Sequence, residues 1–510
     1  MFKKILVANR GEIAVRVMRA CKEMGIATVA VYSEADKDAL FVRYADEAFE
    51  IGPPMATESY LRMDKVLEVV QKTGAEAVHP GYGLLAENAR FVEACEKAGI
   101  KFIGPSSKAM AALGDKLSSK ALVTKVNVPT TPGTDAITSP EMAHKAAKEI
   151  GYPILIKASA GGGGLGMQIV ENEAEMGTLL ELAQSTAKAS FGDGTVYLEK
   201  YHRQPHHIEI QFIADEHGNC VHLCERECSV QRRHQKLIEE SPSPVITPEV
   251  RAEMGAATVR AARAAGYTNA GTAEYLFADG HFYFNEVNAR LQVEHPITEM
   301  VTGVDLVKEQ IRVAAGLPLQ FKQEDIRQSG WAIECRICAE DPLENFIPTP
   351  DKVKNYRSPG GIGIRVDSGI YTGYTIPAYY DSLVSKLCAW GRDRDEAIGR
   401  MKRALFEYVL EGPVTNIPFH LAVLENEVFR KGDYSTKFIP EHPEIMYRTR
   451  HIIDQNIGLK IKGGSDAARK AAIAAAVIED LLVEEAPAAA TQSYSGWSWQ
   501  SKLDYMDKGW

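Results

Sequence analysis

The chain has 510 residues, 45% hydrophobic and 25% charged, with a net charge of −10 at pH 7. That length calls for three or more domains, each with its own core, and the acidic balance speaks against a general nucleic-acid binder, which presents a basic face. No window reaches the roughly 18 apolar residues of a membrane span, and the run ILVA near the start is too short for a secretory signal, so a cytoplasmic protein that engages neither nucleic acid nor membrane is expected.

The first hundred or so residues alternate strand and helix. KKILVAN reads as a strand, EIAVRVMRACKEMG as an amphipathic helix and ATVAVYS as a strand. SYLRMDKVLEVVQKTG and AENARFVEACEKAG read as helices around the strand AEAVHPG, and KFIGPS closes the series. Such a β-α-β order implies an open parallel sheet wrapped by helices. The turns GEI and HPGYG then lie at strand C-termini, the edge where ligands gather.

A helix-rich connector, GDKLSSKALVTKVNVPT, leads to YPILIKASAGGGGLGMQIV. Gly161, Gly163 and Gly166 match G-x-G-x-x-G in form. That fingerprint needs a helix to follow, so that pyrophosphate sits on its N-terminus. Here PILIKA and MQIV are both strand-like, and a hairpin able to fold over phosphates is expected instead; a plain surface hairpin is the alternative. ENEAEMGTLLELAQSTAKASFG reads as a helix, and TVYLEKY, HHIEIQFIAD and CVHLCEREC as strands, the last two turning at DEHGN. The eight cysteines (21, 95, 220, 224, 228, 335, 338 and 388) are expected as reduced, mostly buried thiols. Cys220, Cys224 and Cys228 do not make a zinc site, because positions four apart on a strand are about 13 Å apart.

After the helix PEVRAEMGAATVRAARAAGY comes the strand pair GTAEYLFADGHFYFNEVNAR, turning at Asp279-Gly280. From about 331, WAIECRICAED, GGIGIRVDSGIY and AYYDSLVSKLCAWG suggest a small, mainly β domain closed by helices near 394–410. SDAARKAAIAAAVIEDLLVEE reads as an alanine-rich helix capped by Ser465, followed by a linker and a segment holding Trp497, Trp499 and Trp510.

The densest chemistry lies in NEVNARLQVEHPITEM. Glu286 and Asn288 share a strand face, and Glu274 can sit across from Glu286 in the hairpin. Two carboxylates and an amide oxygen suit Mg²⁺ bridging to phosphates. Arg290, Gln292 and Glu294 are expected to continue the period-two face, the arginine holding a small planar anion and the glutamate accepting a proton. In SVQRRHQKLIEES, Arg232, Arg233, His234 and Lys236 form a local cationic group, either a site or a solvated loop. Lys157, Lys116, Glu199 and Lys200 frame the glycine run. No G-x-x-x-x-G-K-[ST] is present; lysines, a glycine hairpin and carboxylate-bound metal on an antiparallel sheet are the solution of ATP-grasp ligases.

The chain resembles the biotin carboxylase component of biotin-dependent carboxylases, over about residues 1–447. The resemblance is carried by KKILVANRGEIAVRVMRACKEMG, HPGYGLLAEN, KASAGGGGLGM, ERECSVQRRHQKLIEESP, FNEVNARLQVEHPITEMVTGVDLVKEQI, ECRICAEDP and YYDSLVSKL. It implies an α/β chain with the ATP-grasp fold: an N-terminal Rossmann-like open parallel sheet, a glycine-rich lid, a small C-terminal mixed β domain and a helical tail. The expected divisions are 1–113, 114–330 (lid about 130–203), 331–447 and an extension 448–510. It also implies ATP contacts at Lys116, Lys157, Gly161, Gly162, Gly163, Gly164, Gly166, Glu199, Lys200, His207, Gln231, His234, Leu276 and Glu286. Mg²⁺ or Mn²⁺ falls to Glu274, Glu286 and Asn288; bicarbonate to Lys236, Arg290, Gln292, the Val293 backbone and Glu294; biotin to Tyr82 and Arg336.

In the implied reaction Glu294 deprotonates bicarbonate, which attacks the γ-phosphate of ATP. Carboxyphosphate breaks down to CO₂ and phosphate, phosphate takes the biotin N1 proton, and Arg336 steadies the enolate-like oxygen. Lys236, Arg290, Glu294 and Arg336 thus form the catalytic set. No AMKM-like biotinylation sequence is seen, since GRMKRA at 399–404 lies in a helix-like run. A biotin carboxyl carrier and a carboxyltransferase on other chains are therefore expected, in a pyruvate, acetyl-CoA or propionyl-CoA carboxylase. The tail, with its tryptophans, is a docking element for such a partner or a disordered extension. Arg19 and Glu23 match dimer-interface positions, implying a homodimeric core. Three positions depart from the familiar bacterial pattern: Leu165 stands where arginine is usual, Ala289 where threonine is, and Ile362 where phenylalanine is. The alternatives are an ATP-grasp ligase activating bicarbonate for another acceptor, as carbamoyl-phosphate synthetase does, and a non-catalytic nucleotide-binding scaffold.

Overall fold

The structure, a computed structural model, describes residues 1–461 apart from 115, 160–166 and 234, and the backbone alone of 116–117, 191 and 456–461. The alanine-rich segment from Ser465 and the three tryptophans of the tail lie outside the described residues.

Strands β1 (Lys4–Val7), β2 (Ala27–Ser33), β3 (Glu47–Gly52), β4 (Ala77–His79) and β5 (Lys101–Phe102) form a parallel sheet in the order β3-β2-β1-β4-β5. Ile5, Leu6 and Val7 are fully buried, as expected of a strand covered on both faces. The two expected C-terminal turns meet. Asn9 donates its amide to the carbonyls of Pro80 (2.6 Å) and Tyr82 (2.7 Å), tying the loop after β1 to HPGYG. Gly81 stands at φ +61° so close that a Cβ would lie 3.0 Å from Asn9 and Ile13. In this region the strand β3 and the short helix Leu40–Tyr44 are among the elements that went unread in the sequence. β3 is an edge strand, mostly half-buried with Glu47 and Glu50 in it, so it lacks clean alternation.

The lid is β6 (Ile154–Ala158), β7 (Gln168–Val170) and β8 (Val196–Lys200), in the order β7-β6-β8. β6 and β7 pair antiparallel, Ile154 opposite Val170, so the glycine run joins two strands of one hairpin. The helices Pro140–Ile150 and Glu173–Phe191 close a separate core in which Ile154, Ile156, Val170, Met176, Leu180 and Leu198 are buried.

Strands β9 (His206–Ala214), β10 (Cys220–Arg232), β11 (Gln235–Ser241), β12 (Asn269–Ala278) and β13 (His281–Asn288) carry the ATP-grasp platform. β12 and β13 turn at Asp279 (φ +52°) and Gly280 (φ +78°), the two positive angles of a type I′ hairpin. β14 (Trp331–Cys338) is followed by the short strands β15 (Glu340–Asp341), β16 (Ile347–Pro348) and β17 (Asn355–Arg357). Then come β18 (Ile364–Ser368), β19 (Leu383–Gly391), the helix Arg394–Glu407 and β20 (Val409–Glu411). β14 hydrogen-bonds to β11, β19 to β14 and β18 to β19, giving one eight-stranded sheet in the order β13-β12-β9-β10-β11-β14-β19-β18. The mainly β region from 331 is thus continuous with the platform. The helix Glu444–Ile461 runs across position 447, where a change of character was expected, and buries Ile452. All eight cysteines are buried and free; Cys220, Cys224 and Cys228 string along β10. Among the described residues no helix is long and apolar enough to cross a membrane.

Candidate active site

The register of four strands lays out one row across the sheet: Glu286 faces Glu274, Glu274 faces Glu209, and Glu209 faces Arg226. Paired residues on neighbouring strands project from one face, so the row concentrates three carboxylates and a guanidinium. Arg226 and Glu209 are fully buried. The arginine donates to Glu209 (3.0 Å), Gln211 (2.7 Å), Thr298 (3.0 Å) and Gln292 (2.8 Å).

Lys236, from β11, reaches into this row. Its ammonium contacts Glu209 and lies 3.1 Å from Glu274 and 2.8 Å from Glu294. Burial alone would lower its pKa; the three carboxylates override burial and hold it well above the ordinary lysine range. Burial also works against ionised Glu294, but Lys236, Arg336 and Arg226 outweigh burial and the nearby Glu209, so its carboxyl is held below the usual range. The other Glu294 oxygen accepts from Arg336 at 3.0 Å, while Arg336 also donates to Glu239 at 2.6 Å. Burial pushes Glu239 up to about 7, against the pull of Arg336. His207 lies 3.1 Å from Glu274; burial favours its neutral form, but Glu274 and Glu209 raise it to about 10.

The expected strand face through Arg290, Gln292 and Glu294 does not form. β13 ends at Asn288, and Glu294 is the residue before the helix His295–Thr302, with Pro296 in its first turn. Proline lacks the N–H a ladder needs and has the φ a helix start needs, so the chain turns here. The turn still delivers the side chains. Gln292 donates to Glu274 (3.0 Å), Asn288 donates to Glu274 (2.7 Å), and Arg290 donates to Asn288 and Glu87 (3.0 Å each). The Val293 carbonyl accepts from Lys386 at 2.9 Å.

The run from Arg232 to Lys236 is not a single cationic group. It spans the β10–β11 turn: Lys236 points into the cluster, Arg232 lies 4.6 Å over the Phe346 ring and bonds Asn345, and Arg233 is exposed. Alternation along a hairpin sends neighbours to opposite faces. Gln231 is half-buried opposite Lys236. Leu276 and Glu286 are half-buried on the hairpin, Leu276 opposite His207.

A second cluster sits at the lid. Glu199 accepts from Lys157 (2.6 Å) and Lys120 (3.0 Å). The Lys200 ammonium donates to the Gly151 (2.8 Å) and Tyr152 (2.9 Å) carbonyls, and its backbone N–H donates to the Pro132 carbonyl (2.8 Å). Gly161, Gly162, Gly163, Gly164, Leu165, Gly166 and His234 lie outside the described residues, as does the side chain of Lys116, the first residue of the helix Lys116–Lys125. Tyr82, beside the β1–β4 turns, donates its hydroxyl to Glu12.

The Glu274, Glu286 and Asn288 set offers hard oxygen donors from facing strands, with Glu274 drawing Lys236, Asn288 and Gln292 onto one carboxylate oxygen. That concentration of donors marks excess negative charge, and the residues fit Mg²⁺. Sequence reasoning missed Glu209, Arg226, Glu239, Glu87, Lys120, Glu12 and Lys386. A signal existed for the first: HHIEIQF alternates polar 207, 209 and 211 with apolar 208, 210 and 212, on a strand with strands on both sides.

An antiparallel platform carrying acids and a buried lysine, with a strand–loop–strand lid, defines the ATP-grasp class. Residues 1–110 match the family described as biotin carboxylase, N-terminal domain, residues 115–322 the carbamoyl-phosphate synthase L chain, ATP binding domain, and residues 334–441 the biotin carboxylase C-terminal domain. A pyruvate carboxylase subunit of Methanothermobacter thermautotrophicus is 62% identical, over 87% of this chain and 90% of its own. Biotin carboxylase 1 of Bacillus subtilis is 54% identical over 86% and 98%. The biotin carboxylase domain dimer of Hydrogenobacter thermophilus 2-oxoglutarate carboxylase, solved in complex with MgADP, ADP and bicarbonate, superposes with a TM-score of 0.82 at 50% identity, covering 88% of this chain and 99% of that one. The chain belongs to the biotin carboxylase family.

Proposed function

We propose that this chain carboxylates biotin held on a separate carrier chain, from ATP and bicarbonate, as the biotin carboxylase subunit of a multi-subunit carboxylase. The observation that carries the reading is Glu294 held between Lys236 at 2.8 Å and Arg336 at 3.0 Å. A carboxylate kept ionised in a buried pocket beside two cations can take a proton from an anion that those cations attract.

In this mechanism Lys236, Arg290 and Gln292 orient bicarbonate, and Glu294 removes its proton as the oxygen attacks the γ-phosphate. A metal bound by Glu274, Glu286 and Asn288 would supply charge neutralisation on the phosphates. Lys157, together with Lys116 and the glycine run, would hold the nucleotide and exclude water from carboxyphosphate. His207, Gln231, His234 and Leu276 line the same nucleotide site, with Glu199 and Lys200 at its edge. Once Glu294 is protonated, Arg336 loses one of its two carboxylate partners and is free to face the developing ureido oxygen of biotin, with Tyr82 on the biotin side.

The divisions 1–113, 114–330, 331–447 and 448–510, a homodimeric core using Arg19 and Glu23, a cytoplasmic location, and partners comprising a biotin carrier and a carboxyltransferase belong to the same proposal. The likeness to a pyruvate carboxylase component supports pyruvate as final acceptor, to be tested against acetyl-CoA and propionyl-CoA with co-purified partners. ATP cleavage should depend on bicarbonate and be stimulated by free biotin; dependence on ammonia or glutamine would overturn the reading. Glu294→Gln should lower bicarbonate-dependent ATP cleavage by about 10²–10⁴-fold, and retained activity would remove the base assignment.

A further inference from the structure

We infer that Lys386 and Glu12 form a buried positioning pair that holds the Val293–Glu294 peptide and ties it to Tyr82. The inference rests on the reading of 292–294 as the bicarbonate segment and of Tyr82 as the biotin side. Lys386 lies on β19, fully buried and directly opposite Arg336 on β14. Facing residues of antiparallel strands leave the sheet side by side. The two cations take hold of consecutive residues, Arg336 the Glu294 carboxylate (3.0 Å) and Lys386 the Val293 carbonyl (2.9 Å). A peptide unit is planar, so fixing the Val293 oxygen also fixes the Glu294 N–H and the direction in which the Glu294 side chain departs. Arg336 then holds the far end of that side chain.

A fully buried ammonium needs compensation. Lys386 has it from Glu12 at 3.2 Å and, further off, Asp367 at 3.9 Å. Glu12 is itself buried in the helix that follows β1, and its other oxygen accepts the Tyr82 hydroxyl. The Lys386 ammonium lies 5.6 Å from the centroid of the Tyr82 ring. A chain of direct contacts thus runs Tyr82–Glu12–Lys386–Val293, joining the loops of the N-terminal parallel sheet to the residue beside Glu294.

The test uses the full chain with MgATP, bicarbonate and free biotin. Lys386→Met should raise KM for bicarbonate about tenfold or more, since misplacing a reacting group by about 1 Å costs up to about 10²-fold, with KM for ATP unchanged. Glu12→Gln, which keeps an acceptor for Tyr82, should raise KM for both bicarbonate and biotin. Lys386→Met strands the Glu12 charge and can unfold the protein. The double variant Glu12→Gln/Lys386→Met removes both charges of the pair and should melt above Lys386→Met, yet keep the raised bicarbonate KM. Wild-type KM values in a folded double variant, or an equal rise in KM for ATP, would overturn the positioning role. Absence of bicarbonate dependence in the wild type would overturn the functional reading beneath it, and is seen before any variant is made.

Discussion

Arg226 heads the largest fully buried side chains, and replacing it with methionine isolates what a charged centre costs this sheet. Methionine keeps the stem and loses the fork. Glu209 would lose both guanidinium contacts (3.0 and 3.2 Å), and the Gln211 and Gln292 carbonyls would lose donors at 2.7 and 2.8 Å. Breaking a buried pair costs about 3–5 kcal/mol, and each buried acceptor left unsatisfied about 1–3 kcal/mol. The low ends of those ranges together come to about 5 kcal/mol, a large share of an ordinary native margin of about 5–15 kcal/mol. Urea unfolding followed by circular dichroism should show the Arg226→Met midpoint far below wild type. Arg226→Met/Glu209→Gln removes the stranded charge, while Lys236 retains Glu274 and Glu294, so the double variant should recover part of the loss. An unchanged midpoint in the single variant, or no recovery in the double, would refute the argument that this row is held by compensated charge.

Gly81→Ala places a Cβ 3.0 Å from Asn9 and Ile13 at φ +61°; it should cost about 1–2 kcal/mol from the left-handed backbone and raise KM for biotin, with KM for ATP unchanged, as melting and steady-state rates would show. His420 donates through Nε2 to the Arg336 carbonyl at 2.8 Å, and its Nδ1 finds no partner among the described residues. Burial lowers its pKa from 6.5 to about 4, so the native state binds fewer protons than the unfolded state between these values. Stability is then present above about pH 6.5 and lost as pH falls towards 4, by an order of 3 kcal/mol; His420→Gln should flatten the pH dependence of Tm in that window, and an unaltered profile would remove the assignment. Chelation should abolish ATP cleavage and Mg²⁺ restore it, with Glu286→Gln raising the Mg²⁺ concentration required for half-maximal rate; an unchanged requirement would take Glu286 out of the ligand set.

What was legible in the sequence follows local rules. Alternation and turn chemistry revealed the lid hairpin and the Asp279-Gly280 turn, but the register of that turn alone would set Glu274 opposite Asn285, and a bulge between Glu274 and Tyr275 is what brings Glu286 across from it. The face through Arg290 to Glu294 was misread because a period-two pattern was carried past the strand end, and Pro296 was the overlooked stop. Arg226 and Glu239 were invisible as site residues for another reason. Their roles come from the order in which non-consecutive strands pair, and spacing along the chain does not encode that order. Glu87 and Glu12 are more distant still, Glu87 reaching the site from the loop after β4 and Glu12 from the first turn of the helix after β1.

The continuous sheet explains why the candidate site draws on the region after 331. Lys236 ends its reach on β11, and the next two strands, β14 and β19, carry Arg336 and Lys386 at facing positions. Without those strands Glu294 would keep Lys236 but lose Arg336, and Val293 would lose the donor to its carbonyl. The platform strands supply acids, Lys236 and Arg226; the appended strands supply two further cations. Glu239 on β11 faces Glu334 on β14, both fully buried, and burial pushes both carboxyls toward the neutral form, Glu239 up to about 7 and Glu334 well above the usual range. Arg336 pulls on both, and Lys386 on Glu334, in the opposite direction from within the sheet. The same two side chains therefore make the junction tolerable and complete the pocket, which ties the joining of the two halves to the chemistry at Glu294.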